Sequence, residues 1–319
     1  MKFCYKVSKN NKYKRLDTYL AYRLSGYTRS SIKKIILNGD VKINSKVTTK
    51  CSKSVILGDI IKIDISERSG NRELEPRKMN IDIVYKDRDI LVVNKASGIP
   101  VHPGCGNYDN TLLNGLIYRY KKIMRIGKPY RLGLVHRIDK ETSGLVLVAL
   151  NDYALWFLSR QFENRYVVKL YIAVVKGDIR RLFKQKKVLC ISNYIARSMK
   201  NRKKMAVVKK EKGKIATTYF YMIGYKDDKG LEGASIVIAK PKTGRTHQIR
   251  VQLSHLGYNI IGDKIYGCKE YSRMLLHAYA IRIRMLNGES KCFRADIPDD
   301  FIPFLGKNEV IKKTNKLLC

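Results

Sequence analysis

Apolar residues recur along the chain in two different rhythms. In residues 15–65 they are spaced first for helices and then for strands. Leu16, Leu20 and Leu24 return every fourth position, which puts them on one helical face, and Gly26 ends the pattern. Thr28 or Ser30 can cap a second helix whose Ile32, Ile35 and Ile36 share a face, with Gly39 closing it. Arg29, Lys33 and Lys34 are then left on the outer side. Val41 and Ile43, and beyond a Gly58-Asp59 turn Ile61, Ile63 and Ile65, alternate with polar residues as short strands do. Residues 66–80 have almost no apolar content, carry both charge signs and read as a linker.

From Ile81 onward strand follows strand. Two apolar runs flank an Asp87-Arg88-Asp89 turn and lead into a Gly/Pro-rich loop. Residues 145–150 (LVLVAL) predict a buried strand, 166–177 a longer one, and 233–257 a strand, a turn and a helix. Helical patterns span 109–122 and 151–163, and no repeat of fixed period is present. The fold class expected is α+β, with a mixed or largely antiparallel sheet flanked by helices and loops. The expected organisation is a small αβ domain at 1–65 (core 15–65), a linker at 66–80, a large domain at 81–305 and a basic C-terminal tail at 306–319. Residues 176–214 hold 15 Lys or Arg against Asp178 and Glu211, which fits either a solvated, exposed loop or a nucleic-acid contact.

Charge narrows the class of partner. Lys and Arg number 65 against 27 Asp and Glu, a formal charge of +38, and so large an excess calls for a polyanion, nucleic acid first. The opening residues hold no apolar run of signal-peptide length, and no later stretch reaches the ~18 apolar residues of a membrane span. The seven cysteines include no CxxC pair, against both a disulfide framework and a zinc site. A soluble, cytoplasmic, reduced monomer without a membrane partner is expected.

The chemistry concentrates in LVHRIDKETSGLVLVAL, residues 134–150. Here Asp139 lies between Arg137 and Lys140, three residues after His136, at the mouth of an apolar strand. A kinase catalytic loop would place Asp directly after His-Arg and Asn five residues further on; Ile138 intervenes, and Gly144 occupies the Asn position. His102, His247 and His255 are dispersed and supply no second closely spaced ligand pair for a metal. A glycosidase needs two carboxylates, yet the segments NKASGIPVHPG and KTGRTHQIRVQ contain none. A lone carboxylate among cations is expected to stay ionised at neutral pH and suits nucleophilic attack or proton abstraction. Such a site can break a glycosidic bond without hydrolysis if the departing base is kept and rejoined. The same acid could instead brace a loop-to-strand junction.

These motifs resemble a known family. HRIDKETSGLVLVAL is similar to the HRLDxxTSG signature of RluA-type pseudouridine synthases, with Ile138 departing from it. LVVNKASGIPVHPG, KLYIAVVKG and PKTGRTHQIRVQLSHLGYNIIGDKIYG resemble further motifs of that family, with departures at Ala96, Gln252 and Asn259. LLHAYAIRI and CFRADIPDDF fit its closing segments, so the likeness runs from about residue 80 into the low 300s. Arg15-Leu16-Asp17, Thr28-Arg29-Ser30, Gly39 to Asn44 and Gly58 to Ile63 resemble the landmarks of an S4-type RNA-binding domain.

The resemblance implies an S4-type domain ahead of a pseudouridine synthase domain. It also implies an enzyme that flips a uridine out of RNA, breaks its N1 glycosidic bond and rejoins C5 to C1′, without cofactor or metal. Asp139 matches the catalytic aspartate, Tyr171 a tyrosine that stacks on the base and assists proton removal, and Arg245 a basic residue paired with the aspartate. Arg137 matches the residue supporting the flipped nucleotide. Lys95, His102 and His247 are expected to contact RNA in the large domain, and Arg15, Arg29, Lys33 and Lys34 in the small one. The departures are expected to touch loop shape and the outer site. Large-subunit ribosomal RNA is the expected substrate. A tRNA-directed enzyme and a non-catalytic RNA-binding or ribosome-assembly factor stay open, although a factor of that kind would be expected to have lost its aspartate.

Overall fold

The computed structural model describes residues 2–318 apart from 10, 25, 26, 28, 65–73, 105, 106, 108, 128–131, 184, 185, 228–231, 269, 270 and 306, with backbone alone at 30, 307 and 308. Gly26, Thr28, the Ser30 side chain, Ile65 and residues 66–73 of the expected linker lie outside the described residues. The chain divides into two compact units, residues 1–74 and 75–319.

The first unit contains β1 (Lys2–Lys6), α1 (Leu16–Arg23), α2 (Arg29–Leu37), β2 (Val41–Ile43), β3 (Lys46–Val47) and β4 (Ile60–Asp64). Its strands form an antiparallel sheet in the order β1-β4-β2-β3. The two helical stripes bury Leu16, Leu20, Ile32 and Ile36 against Val41 and Ile61 of the sheet. Gly39 (φ 81°) closes α2 in the left-handed conformation, with the Asp40 amide donating back to the Ile35 carbonyl. The edge strand β1 is absent from the apolar pattern because its Lys-rich sequence buries little on either side.

The second unit runs β5 (Asp82–Lys86), β6 (Ile90–Lys95), α3 (Leu112–Arg119), β7 (Ser143–Ala149), α4 (Asp152–Glu163), β8 (Val168–Lys176), α5 (Arg180–Phe183), β9 (Leu189–Arg197), β10 (Met205–Val208), β11 (Lys214–Lys226), β12 (Ala234–Pro241), α6 (Gln248–His255), β13 (Leu276–Arg284), β14 (Ser290–Arg294) and α7 (Lys307–Leu318). Ten strands make one sheet, ordered β10-β9-β11-β12-β8-β13-β7-β6-β5, with β14 added on β13. Among the described pairs only β7 and β13 run parallel. The sheet is therefore mixed and mostly antiparallel.

Covered faces explain the sequence rhythm at the centre of this sheet. Every residue of β7 is buried, so it reads as an unbroken apolar run. Along β8 the period of two sorts side chains to opposite faces. Leu170, Ile172 and Val174 join a core with Phe301 and Val310, while Tyr171, Ala173 and Val175 face Ile249 and Leu253 of α6. Pairing registers align Ala239, Tyr171, Ala278 and Gly144 in one row across β12, β8, β13 and β7. That row brings the middle of β8 beside the start of β7, just after Asp139.

Three expected features are corrected. Residues 176–214 are not an extended loop: they hold α5 and the antiparallel pair β9 and β10, and β9 also pairs with β11. The strands are half-exposed, and the Lys- and Arg-rich segments on either side of them hid the ribbon from the apolar pattern. Residues 75–80 are built into the second unit: the Asn114 side chain donates to the Glu75 carbonyl (2.8 Å), and the Arg77 amide donates to that of Asn114 (3.1 Å). The expected tail is α7, which buries Val310 and Leu318 and sends Lys313 Nζ to the Met222 and Ile223 carbonyls (2.7 and 3.0 Å).

Gly144 sits at φ +111° where β7 meets β13, and a Cβ there would lie 2.3 Å from the Ala278 carbonyl oxygen. Gly144→Ala should destabilise the unit by about 2–5 kcal/mol, combining left-handed strain with overpacking. Gly257 also has a positive φ but open space around it, so Gly257→Ala should lose only about 1–2 kcal/mol. Urea unfolding followed by circular dichroism checks the difference.

Candidate active site

A cavity of about 460 Å³ opens where the loop ahead of β7, the start of β8 and the N-terminal end of α6 converge. Its walls include Asp139, Tyr171, Lys169, Arg250 and His247.

Asp139 is held by a helix. α6 is buried over Gln248–Leu253, so Arg250 enters the interior and needs anionic partners. Its Nε and Nη2 donate to Asp263 Oδ2 and Oδ1 at 2.7 and 2.8 Å, a bidentate fork, and its Nη1 donates to Asp139 Oδ2 at 3.0 Å. Asp263 is anchored in turn by the amides of Ile265 and Tyr266 (3.0 and 3.2 Å). Burial alone lowers the Arg250 pKa, but its hydrogen bond to Asp263 and the charges of Asp139 and Asp263 raise it above the usual value.

The chain reaches α6 through a fitted loop. The Gln248 side chain accepts from Thr243 Oγ1 (2.7 Å) and the Arg245 amide (3.0 Å), and donates to the Thr217 carbonyl (3.0 Å). His247, the N-cap, is left-handed at φ 53°, a conformation that strains a residue other than glycine. Its Nε2 lies 3.9 Å from Asp139 Oδ2, and its Nδ1 lies 3.2 Å from the Tyr266 hydroxyl. Burial lowers the His247 pKa, opposed by Asp139.

Lys169 and Tyr171 stand two apart on β8 and both line the cavity. Burial, then the charge of Asp139, pushes the Tyr171 phenol well above its usual pKa, so it keeps its proton at neutral pH. Burial brings the Lys169 ammonium down to about 8. Its Nζ lies 5.9 Å from the centre of the Phe162 ring, and among the described residues it has no carboxylate within salt-bridge distance. His136, stacked on Phe162 (4.8 Å), accepts the Leu147 amide through Nε2 at 2.9 Å. Burial and Lys169 hold its pKa down at about 3, so it is a neutral clasp between the Asp139 loop and β7.

The expected site residues separate into those the cavity gathers and those it does not. Asp139, Tyr171, His247, the exposed Arg137 and Arg245 line it. Arg245 is not the partner of Asp139, however: its Nε donates to the Ile215 carbonyl at 3.0 Å, and Arg250 takes the pairing role. Lys95 does not face RNA; it is buried and donates to the Ala96 and Lys140 carbonyls (2.7 and 3.0 Å), tying its loop to the one bearing Asp139. His102 lies outside the cavity lining. Gln252 belongs to no outer site: it is buried, accepting from Thr218 Oγ1 (2.6 Å) and donating to the Ala216 carbonyl (3.0 Å). In the first unit Arg29, Lys33 and Lys34 are exposed on α2, opposite its buried isoleucines. Arg15 is already engaged with Asp17 through two bonds of 3.0 and 2.8 Å.

Sequence reasoning missed Arg250, Asp263 and Lys169. The signal for Arg250 was its i+3 spacing from His247, which puts the two side by side on a helix. For Lys169 it was the i+2 spacing from Tyr171 on a strand.

Comparison with known proteins identifies the family. The profile of the RNA pseudouridylate synthase family matches residues 89–255, and that of the S4 domain matches residues 14–61. The chain is similar to proteins named ribosomal large subunit pseudouridine synthase D. In Borreliella burgdorferi the identity is 37% over 299 residues, covering 91% of this chain and 88% of the relative. In Zymomonas mobilis it is 36% over 301 residues, covering 90% and 91%. The solved structure of human RNA pseudouridylate synthase domain containing 1 superposes with a TM-score of 0.58 at 30% identity, over 76% of this chain and 96% of that one.

Replacing the two arginines separates their roles. Arg250→Met strands two carboxylates and should destabilise the protein by about 3–5 kcal/mol. Arg245→Met should stay within about 1 kcal/mol of the parent. Denaturant titration of both variants measures the contrast.

Proposed function

This chain belongs to the RNA pseudouridylate synthase family, and we propose that it isomerises uridine in large-subunit ribosomal RNA with Asp139 as the nucleophile. The observation that carries this reading is the Asp139 carboxylate fixed by Arg250 at 3.0 Å inside a cavity shared with Tyr171 and Lys169. The other carboxylate on the cavity wall, Glu163, is exposed and paired with Arg160 at 3.2 Å. The site thus offers one enclosed carboxylate, short of the acid and base pair that hydrolysis requires.

In the proposed reaction the target uridine leaves its stack and enters the cavity, at a cost of a few kcal/mol that is least in loops. Asp139 attacks C1′ as the N1 bond breaks, and the bonding electrons go to the uracil. The retained uracil turns, and C5 bonds to C1′ as Asp139 departs. The C5 proton passes to a base, and N1, which kept the bonding electrons, takes up a proton, so the product has the composition of the substrate. Tyr171 supplies a stacking face and a protonated hydroxyl, not a resting phenolate. The Lys169 ammonium is placed to meet negative charge gathering on the departing uracil. Support for a ribosomal substrate comes from the names of the relatives and from the exposed cations of α2 in the S4 unit.

Asp139→Asn should bind RNA with unchanged affinity and form no product. Carbodiimide and primer extension across ribosomal and transfer RNA, from cells with and without the gene, should show large-subunit positions disappearing. Loss confined to tRNA sites would overturn the ribosomal assignment, and loss of none would overturn isomerisation. Because Lys169 is charged below about pH 8, turnover should fall as pH rises through that value. His136 stays neutral down to about pH 3 and adds no step in that range. Lys169→Arg should move the fall to higher pH, and Lys169→Met should lower kcat by about 10²-fold or more.

A further inference from the structure

A second cleft lies at the other end of β7 from Asp139. β7 begins just after Asp139 and ends at Ala149, about 20 Å away at ~3.3 Å per residue. There the β5–β6 turn, the end of α3 and the start of α4 enclose about 920 Å³. No residue lines both cavities.

Five cations line this cleft: Lys86, Arg88, Arg119, Lys121 and Lys122, all exposed. Its two acids are occupied in building the walls. Asp87 accepts the amides of Asp89 and Ile90 (2.8 and 2.7 Å) through Oδ1 and the Tyr85 hydroxyl (2.9 Å) through Oδ2. Asp89 accepts from Asn151 Nδ2 at 2.6 Å, while Asn151 Oδ1 caps α4 through the Ala154 amide at 2.8 Å. The turn and the helix start are thereby locked together, and the cleft is preformed.

Aromatic rings complete the lining. Lys86 Nζ lies over the Tyr120 ring at 5.0 Å, with the Arg119 guanidinium at 5.9 Å. Tyr153 faces the cleft and stacks with Trp156 (5.9 Å between centres, 26° apart), and both rings are largely exposed. Cations that track a phosphate backbone, interleaved with open aromatic faces, are what binds unpaired nucleotides without reading their sequence.

We propose that this cleft is a second RNA-binding site, holding an unpaired stretch of the substrate RNA while its target uridine occupies the Asp139 cavity. The inference rests on RNA being the substrate and adds where a remote part of that RNA is held. Such a contact raises affinity without altering the chemical step.

Photocrosslinking of the full chain to 4-thiouridine-substituted ribosomal RNA, followed by peptide sequencing, tests it directly. Adducts should fall on peptides bearing Tyr120–Lys122 or Tyr153–Trp156, in addition to those at the Asp139 cavity. The triple variant Arg88→Gln, Lys121→Gln, Lys122→Gln should bind a long ribosomal fragment about tenfold or more weakly. Its log–log salt slope should be shallower by about 2, at ~0.7 per lost phosphate contact on a single strand. On a short stem-loop unable to span the ~20 Å from Asp139 to the cleft, kcat/KM should be unchanged. The charge-keeping pair Lys121→Arg, Lys122→Arg should retain parent affinity. Adducts at the Asp139 cavity alone, or equal losses on long and short RNA, would overturn the second site and leave isomerisation standing. Adducts at neither place would overturn both. A cleft serving an acidic protein instead would give no RNA adduct and an unchanged salt slope.

Discussion

A guanidinium removed from water must have its charge balanced and its N–H groups bonded, and Arg250 meets both demands with two carboxylates at once. Asp263, itself bonded to two backbone amides, takes the fork and fixes the plane of the group. Nη1 is thereby aimed at Asp139, which lies on a loop that would otherwise choose its own orientation. One cation between two carboxylates leaves one negative charge in the cluster, and Lys169 supplies a positive one across the same cavity. The Asp139 carboxylate is thus positioned from the helix side, with its loop following.

The rest of the site depends on how securely that loop is closed. His136 clasps it to β7 through the Leu147 amide, and Lys95 ties it to the preceding motif through the Lys140 carbonyl. Gly144 lets β7 approach β13 at the point where the row from Ala239 through Tyr171 crosses the sheet. Each contact uses a polar or flexible residue in a buried place, which a folding core alone would not call for.

Much of this could be read from residue spacing, and the failures share a cause. Period-four leucines and period-two isoleucines located the helices and strands of the first unit, and the unbroken LVLVAL run located β7, because burial on defined faces writes itself into sequence. β1, β9 and β10 were hidden because edge and ribbon strands bury little, β1 carrying Lys at both ends and β9 and β10 lying between Lys- and Arg-rich segments. At the site, Asp139 and Tyr171 were legible as residues, but which arginine meets Asp139 was not. Arg245 and Arg250 occupy the same motif, but the earlier one lies on the loop ahead of α6 and bonds the Ile215 carbonyl, while the later one lies on the buried stretch of α6 and meets Asp139. Lys95 was misplaced for the converse reason: a lysine in a basic chain suggests phosphate, whereas this one meets backbone carbonyls.

The distinction between buried and exposed cations bears on how recognition and chemistry are divided. With a net charge of +38 the chain can attract RNA over its whole surface, so charge alone discriminates nothing. What discriminates is desolvation. In the proposed reaction Arg250 and Lys169 would act inside a low-dielectric cavity, where a fixed charge stabilises a developing one far more strongly than in water. The exposed cations of α2 are screened by salt, and in the proposed function they would contribute encounter and register. A uridine held only by the second group would remain stacked in its RNA. Only the nucleotide that pays the cost of flipping gains the first, which makes deformability of the RNA at the target as selective as any base contact.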